Sequence, residues 1–267
     1  MKKMMILFVA LATAWCVSCS KDDDGGKNPG DSAEETGLTM KSEGQKISLM
    51  LVSKISKITI DWGDGTVKEY DGEYSESSNL YGYGFTVNYE YSQNALHTIK
   101  INEYPDLLGL MCDNNQLTSL NVSGCSALLY LYCDNNQLSS LDVSGCPDLI
   151  RLDCYINQLS SLDISGCSAL TILGCSLNQL SLLDVTGCPA LTNLFCNENQ
   201  LSSLDVSGCP ALTELYCYTN QFSASALNQI YTDLPTTDGR IVANSNPGYP
   251  ESDKSIATGK GWVFSEE

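Results

Sequence analysis

Two residue types in this chain of 267 residues recur at spacings that could support chemistry. The first is cysteine. Eleven of the 13 cysteines form two ladders, Cys112, Cys133, Cys154, Cys175, Cys196, Cys217 and Cys125, Cys146, Cys167, Cys188, Cys209, in which each step is 21 residues. Thiols at this density could pair, hold a metal or simply pack. An exported chain favours disulfides, but the count is odd. Neighbours within a ladder would sit on parallel strands about 4.8 Å apart, pointing the same way, whereas a disulfide needs Cβ atoms about 3.8 Å apart with converging vectors. Bridges between ladders, such as Cys125 to Cys133, stay open on this argument. The repeats contain no C-x-x-C pair for zinc. The expectation is a ladder of reduced, buried thiols that pack as small apolar groups. The second type is aspartate. Asp142, Asp163, Asp184 and Asp205 recur at the same period and should line one outer edge. Side chains spaced by strand stacking, with no Gly-Asp loop, make a poor calcium cage, so no metal is expected. His97 is the one histidine and reads as a satisfied structural residue. No nucleophile–base spacing, phosphate loop or metal motif accompanies it, so the chain reads as no enzyme and takes no cofactor.

The elements that position these residues follow from the period. Six segments fit L-x-x-L-x-C-x-x-N-x-L: Leu107 to Leu117, Leu128 to Leu138, Leu149 to Leu159, Leu170 to Leu180, Leu191 to Leu201, and Leu212 to Phe222. In the unit over 128–148, Leu128, Leu131, Cys133, Leu138, Leu141, Val143 and Cys146 should point inward, with a short strand around Leu131 and Cys133. One unit cannot bury these side chains; stacking units in register does. Asn115, Asn136, Asn157, Asn178, Asn199 and Asn220 form an amide ladder suited to backbone groups at a bend. Gly124, Gly145, Gly166, Gly187 and Gly208 mark a second bend, where a left-handed backbone is expected. Over residues 105–222 the pattern resembles the leucine-rich repeat, with cysteine in place of the third leucine. Such ladders look like those of internalin-like surface proteins. The resemblance implies a binding module.

The six units also differ from one another in an informative way. Inward positions barely change, while three columns flanking the strand core change freely. Six aromatics lie in those columns: Tyr130, Tyr132, Tyr155, Phe195, Tyr216 and Tyr218. Strand propensity accounts for such residues on a sheet face; so does contact with a partner, since aromatics bury large area at low entropy cost. They are taken as the partner-binding residues, for a protein or glycan ligand.

Before the repeats, short strands are expected at Ile47 to Val52, Ile55 to Ile60, Phe85 to Tyr91, and His97 to Ile101. Asp61-Trp62-Gly63-Asp64-Gly65-Thr66 resembles the turn of polycystic-kidney-disease-type β-sandwich domains, and Asp61 and Asp64 read as turn formers. Shifting His97 to Leu107 by one period places Ile99 on Leu120 and Ile101 on Val122. The last sandwich strand should therefore double as the first half-turn of the solenoid and cap it without a linker. After Phe222, Leu227, Ile230, Tyr231 and Leu234 fall at helical spacing, and Pro235 ends the helix. Strands at Arg240 to Ala243 and Trp262 to Phe264 complete a C-terminal cap.

The chain starts with Lys2 and Lys3 and an apolar run from Met4 to Val17, too short to span a bilayer. Cys16-Val17-Ser18-Cys19 resembles a bacterial lipoprotein signal with Cys19 as the lipidated residue. Ser20-Lys21-Asp22-Asp23-Asp24 resembles the export tag that sends lipoproteins to the outer face of the outer membrane. The net charge of −18 becomes −20 when Lys2 and Lys3 leave with the signal, and so acidic a surface repels phosphate backbones, excluding nucleic acid. The expectation is a mainly β protein: signal peptide 1–18, flexible acidic tether 19–36, β-sandwich and N-terminal cap 37–104, leucine-rich-repeat solenoid 105–222, C-terminal cap 223–267. It would be a monomer, held at the outer membrane by the lipid on Cys19. Its expected role is surface binding or adhesion, or alternatively a place as a structural subunit of an outer-membrane complex.

Overall fold

Alternation within each unit produces the strand, and the period stacks it. In the computed structural model, which describes residues 37–75, 82–102 and 104–266, Tyr130–Tyr132 (β10) pairs in parallel with Leu107–Met111 (β8) on one side and Arg151–Asp153 (β12) on the other, so that Leu131 lies level with Leu110 and Leu152. The same register continues through Ile172–Gly174 (β14), Asn193–Phe195 (β15) and Glu214–Tyr216 (β16). On the opposite side of the coil, strand pairing is sparser: Leu117–Asn121 (β9) comes first, and Ser140–Asp142 (β11) pairs with Ser161–Asp163 (β13). Between the two sides the expected residues are inside. Leu128, Leu131, Cys133, Leu138, Leu141, Val143 and Cys146 are all buried, as are the eleven ladder cysteines, each a free thiol. The expected signal peptide, tether and Cys19 lie outside the described residues.

The two bends work differently. At the first, each asparagine serves two coils. Asn136 Oδ1 accepts from the backbone N–H of Asn115 at 3.0 Å and Leu117 at 2.9 Å, while its Nδ2 donates to the carbonyls of Cys112 and Cys133 at 3.0 and 2.9 Å. Left-handed backbone is found here, at Asn114, Asn135, Ile156, Leu177, Glu198 and Thr219, with φ between 49° and 58°. The second bend corrects the expectation for the glycines, because none of Gly124, Gly145, Gly166, Gly187 and Gly208 has positive φ. They are needed for close approach instead. A Cβ on Gly166 would lie 2.0 Å from the carbonyl oxygen of Ser144 in the preceding coil, and one on Gly145 2.5 Å from that of Ser123.

The N-terminal strands are Leu38–Ser42 (β1), Lys46–Ser53 (β2), Lys57–Asp61 (β3), Val67–Asp71 (β4), Glu73–Ser75 (β5), Gly82–Glu90 (β6) and His97–Ile101 (β7). β2, β3, β6 and β7 fall where the sequence places strands; β1, β4 and β5 were not foreseen. β7 is not the half-turn next to β9. β1 lies between them, antiparallel to both, and Met40 is level with Ile99 on one side and Leu120 on the other. The periodic shift found the right depth for Ile99 but could not count the strands between. The physical reason is edge pairing: the first coil leaves an open strand edge on each side. β1 closes one, and β2 closes the other by pairing antiparallel with β8. Both N-terminal sheets thus run on into the two sides of the solenoid, giving strand orders β4-β3-β7-β1-β9 and, along the other side, β5-β6-β2-β8-β10-β12-β14-β15-β16. Asn115 strengthens the joint, accepting from Ser48 N at 2.7 Å and donating to Ser48 O at 2.8 Å.

At the far end the helix Ala224–Asp233 (α1) is capped by Ser223, whose hydroxyl accepts from Ala226 N. It buries Leu227, Ile230 and Tyr231. Gly239–Val242 (β17) then extends the sheet in parallel beyond β16, and Trp262–Phe264 (β18) follows β17 after the short helix Ser255–Thr258 (α2). The amide ladder also runs on: Asn246 accepts from Asn220 N at 3.1 Å and donates to the carbonyls of Cys217 and Ala243.

Candidate functional site

Parallel pairing from β8 to β17 builds one continuous face from the variable columns. On it, Tyr130, Arg151, Ile172, Asn193, Glu214 and Arg240 stand in register in one column, and Met111, Tyr132, Asp153, Gly174, Phe195 and Tyr216 in the next. Outward alternation on neighbouring coils is what brings them together. The six sequence-predicted aromatics all reach this face. Tyr155 is exposed, and the other five are half-buried. They form two groups: Tyr130, Tyr132 and Tyr155 toward the N-terminal end, Phe195, Tyr216 and Tyr218 toward the C-terminal end. The fourth coil separates them, offering only the small Gly174 and Ser176 in two of the three columns.

Each group carries an arginine that the sequence reading left out of the site. Arg151 lies over the Tyr132 ring, 5.4 Å from its centroid, and its Nε donates to Asp153 Oδ2 at 2.8 Å. Asp153 is nearly buried. Burial raises its pKa, with Arg151 pulling the other way. Arg240 lies 5.2 Å from the Tyr216 centroid and donates to Ser265. Tyr216 also meets Phe195 at 5.1 Å and donates to Glu214. A depression of about 500 Å³ adjoins this second group, lined by Glu214, Asp238, Arg240 and Val263 among others. Arg240 was missed because α1 lengthens its coil to 26 residues from Glu214. The usable signal was the match of Ile241, Ala243 and Asn246 to Leu215, Cys217 and Asn220.

Elsewhere the candidate groups are spent on structure. The aspartates of the outer edge close turns: Asp142 accepts from Ser144 N, Asp163 from Ser165 N, Asp184 from Thr186 N and Asp205 from Ser207 N, at 2.9 to 3.0 Å. The Thr186 and Ser207 hydroxyls, with these backbone bonds, hold Asp184 and Asp205 below the usual carboxylate pKa, and the Ser165 backbone bond, with its hydroxyl, does so for Asp163. Asp61 and Asp64 do the same for Gly63 and Thr66. Among the described residues, no group of three histidine, cysteine or acidic side chains could hold a metal ion. Burial pushes the thiols up, to about 12 for Cys125 and Cys146, so they are poor nucleophiles. His97 departs from the expected satisfied state. It stacks on Tyr91 with ring centroids 3.7 Å apart, but its buried Nε2 has no hydrogen-bond partner.

With the coil, its register and its cap in place, the architecture can be stated. The chain folds as a leucine-rich-repeat solenoid. An internalin of Listeria monocytogenes superposes with TM-score 0.51 and 23% identity, over 61% of this chain and 48% of its own. The functional domain of InlJ from the same organism, which includes a cysteine ladder, is 30% identical over 57% of this chain and 37% of its own, with TM-score 0.44. A leucine-rich-repeat protein of Leptospira interrogans is 22% identical over 60% of this chain and 48% of its own, with TM-score 0.47. This chain spans less than half the length of each. No family profile and no curated protein matches it. Domains of this leucine-rich-repeat kind commonly mediate protein binding.

Proposed function

We propose that the chain is a non-enzymatic cell-surface binding or adhesion module that holds a protein or glycan against the face built by β10, β12, β14, β15 and β16. The observation that carries this reading is the gathering of six aromatic side chains, drawn from four coils, on one sheet face whose positions vary while the core beneath does not. Large, stiff rings are suited to contact because ordering them costs little entropy. In this reading the N-terminal strands, including the turn that resembles polycystic-kidney-disease-type domains, act as a cap. The protein is a monomer tethered by a lipid on Cys19 and displayed at the outer membrane.

The test is capture of ligands from outer-membrane extracts, host mucus proteins and a glycan panel. The native protein is compared with a variant in which Tyr130, Tyr132, Tyr216 and Tyr218 are Ala, after circular dichroism shows that it folds. A ligand held by the native protein and lost by the variant supports the reading. A ligand held equally by both moves the site off this face and overturns it. A bacterial envelope ligand would favour a structural subunit over an adhesin. Anchoring is tested separately: metabolic labelling with an alkyne fatty acid should mark the native protein and not Cys19→Ala.

A further inference from the structure

The face shows how it receives a guanidinium. Twice a tyrosine ring carries an arginine of the same chain: Tyr132 carries Arg151, whose Nε donates to Asp153, and Tyr216 carries Arg240, whose Nε donates to Ser265 while Tyr216 itself donates to Glu214. In each case the ring face attracts the cation, and at Arg151 the Asp153 carboxylate adds a charge-assisted hydrogen bond. A third pair of the same composition lies beside the first, on the same two coils and one column further along the chain. Asp134 follows Cys133, whose N–H bonds Asp153 O, and the next residue's N–H bonds Tyr155 O, so Asp134 and Tyr155 stand side by side on adjacent coils. Asp113 holds the same position one coil earlier. This third pair has no arginine. Among the described residues neither Asp113 nor Asp134 forms an ion pair with lysine or arginine, and no cation lies over Tyr155. Among the described residues Asp153 alone of these three aspartates pairs with an arginine, while Asp134 accepts from Asn135 Nδ2 at 3.0 Å and Asp113 from Asn114 Nδ2 at 2.8 Å. Tyr155 is the most exposed of the six aromatics, 36% accessible, whereas Asp134 is 7% accessible. Its carboxylate is therefore held in place and shielded from bulk water, which strengthens its pull on a cation.

We propose that Tyr155, Asp134 and Asp113 form a receptor for an arginine side chain on the surface of a partner protein. This rests on the sheet face being the binding surface. Charge complementarity selects the occupant: two carboxylates beside an open aromatic ring suit a planar cation, and Arg151 on Tyr132 and Asp153 shows one such arrangement filled. Arginine fits better than lysine because a planar guanidinium stacks on the ring while its edge reaches the carboxylates.

The probe is a tetra-arginine peptide, titrated into the full-length protein carrying ¹³C-labelled tyrosine rings, at about 150 mM salt, where a Debye length of about 8 Å suppresses general attraction to an acidic protein. Tyr155 ring resonances should shift before those of the other tyrosines. Tyr155→Leu and Asp134→Asn should each weaken binding about fivefold to tenfold, and Asp142→Asn on the outer edge should change it less than twofold. A tetra-citrulline peptide should not bind. Asp113→Asn serves if Asp134→Asn fails to fold, with a weakening of about threefold. Equal binding by the Tyr155 and Asp134 variants, equal binding of the citrulline peptide, or no binding to the native protein overturns the proposal. In each of those cases a ligand still lost with Tyr130, Tyr132, Tyr216 and Tyr218 leaves the sheet face standing as the binding surface.

Discussion

Asn157 shows what a single side chain holds. Its Oδ1 accepts from Leu138 N at 3.0 Å, and its Nδ2 donates to Cys133 O and Cys154 O at 3.0 and 3.1 Å. Asn157→Ala strands these buried backbone groups, and the expected loss is about 2–4 kcal/mol in urea unfolding. The role was legible because an amide both donates and accepts. The glycine role was not: spacing revealed a bend but not its backbone angles. The two accounts of the glycines predict different ranks. A Cβ on Gly166 would lie 2.0 Å from Ser144 O, but one on Gly187 would lie 3.2 Å from Ser165 O. Gly166→Ala should therefore cost about 2 kcal/mol more than Gly187→Ala, read as the difference in unfolding free energy. The thiols give a pH prediction. Burial raises Cys125, Cys146 and Cys167 from the ordinary 9.0 to about 12. From pH 9 the unfolded chain loses thiol protons that the folded chain keeps. Stability is thus full below pH 9 and drains away as pH climbs toward 12. Denaturant midpoints should fall across that window, and the folded protein should resist thiol reagents at pH 8.

At the scale of elements, the strand that matters most was the one least visible. β1 pairs along both edges, with β7 and with β9. Its sequence, Leu-Thr-Met-Lys-Ser, alternates over only five residues and carries no motif. Its weight comes from its partners, which lie at least 55 residues away in sequence. Met40→Pro would remove a ladder donor and set a ring between Ile99 and Leu120. The expected cost is about 3 kcal/mol or more, with hydrogen exchange rising in β7 and β9 before β16. Protection that rises equally everywhere would show that β1 is not the local seal of the solenoid. By contrast, α1 was readable from its apolar spacing and from Pro235, which are local signals, while the Ser223 cap came only with the structure.

For the whole molecule, the arrangement is one-dimensional. Each coil's strand bonds only the coils before and after it, so stability is a sum over neighbours plus two ends. Excising residues 149–169 joins equivalent positions and removes one coil. The product should still fold, with the same circular dichroism per residue and a lower urea midpoint. Removing residues 223–266 is expected to do worse despite leaving every repeat intact, since Asn220 loses Asn246 and the last coil exposes Leu212, Leu215 and Phe222. Aggregation of that truncation, against a soluble excision variant, is the outcome to look for by light scattering. The excision also removes Arg151 and Tyr155 and should abolish arginine-peptide binding.

The sequence by itself determined the solenoid, its 21-residue pitch, the inward residues and the outward columns, because stacking forces every coil to repeat the same choice and repetition makes a weak local signal loud. Tertiary structure alone decided that β1 and β2 seal the first coil, and that Asp134 stands beside Tyr155 with no cation of its own among the described residues. Those outcomes depend on which strand edges meet and which side chains lean together, and neither is periodic. The core could be read by counting along the chain. The face needed the coils laid side by side, because a binding surface is made of neighbours that the chain itself keeps apart.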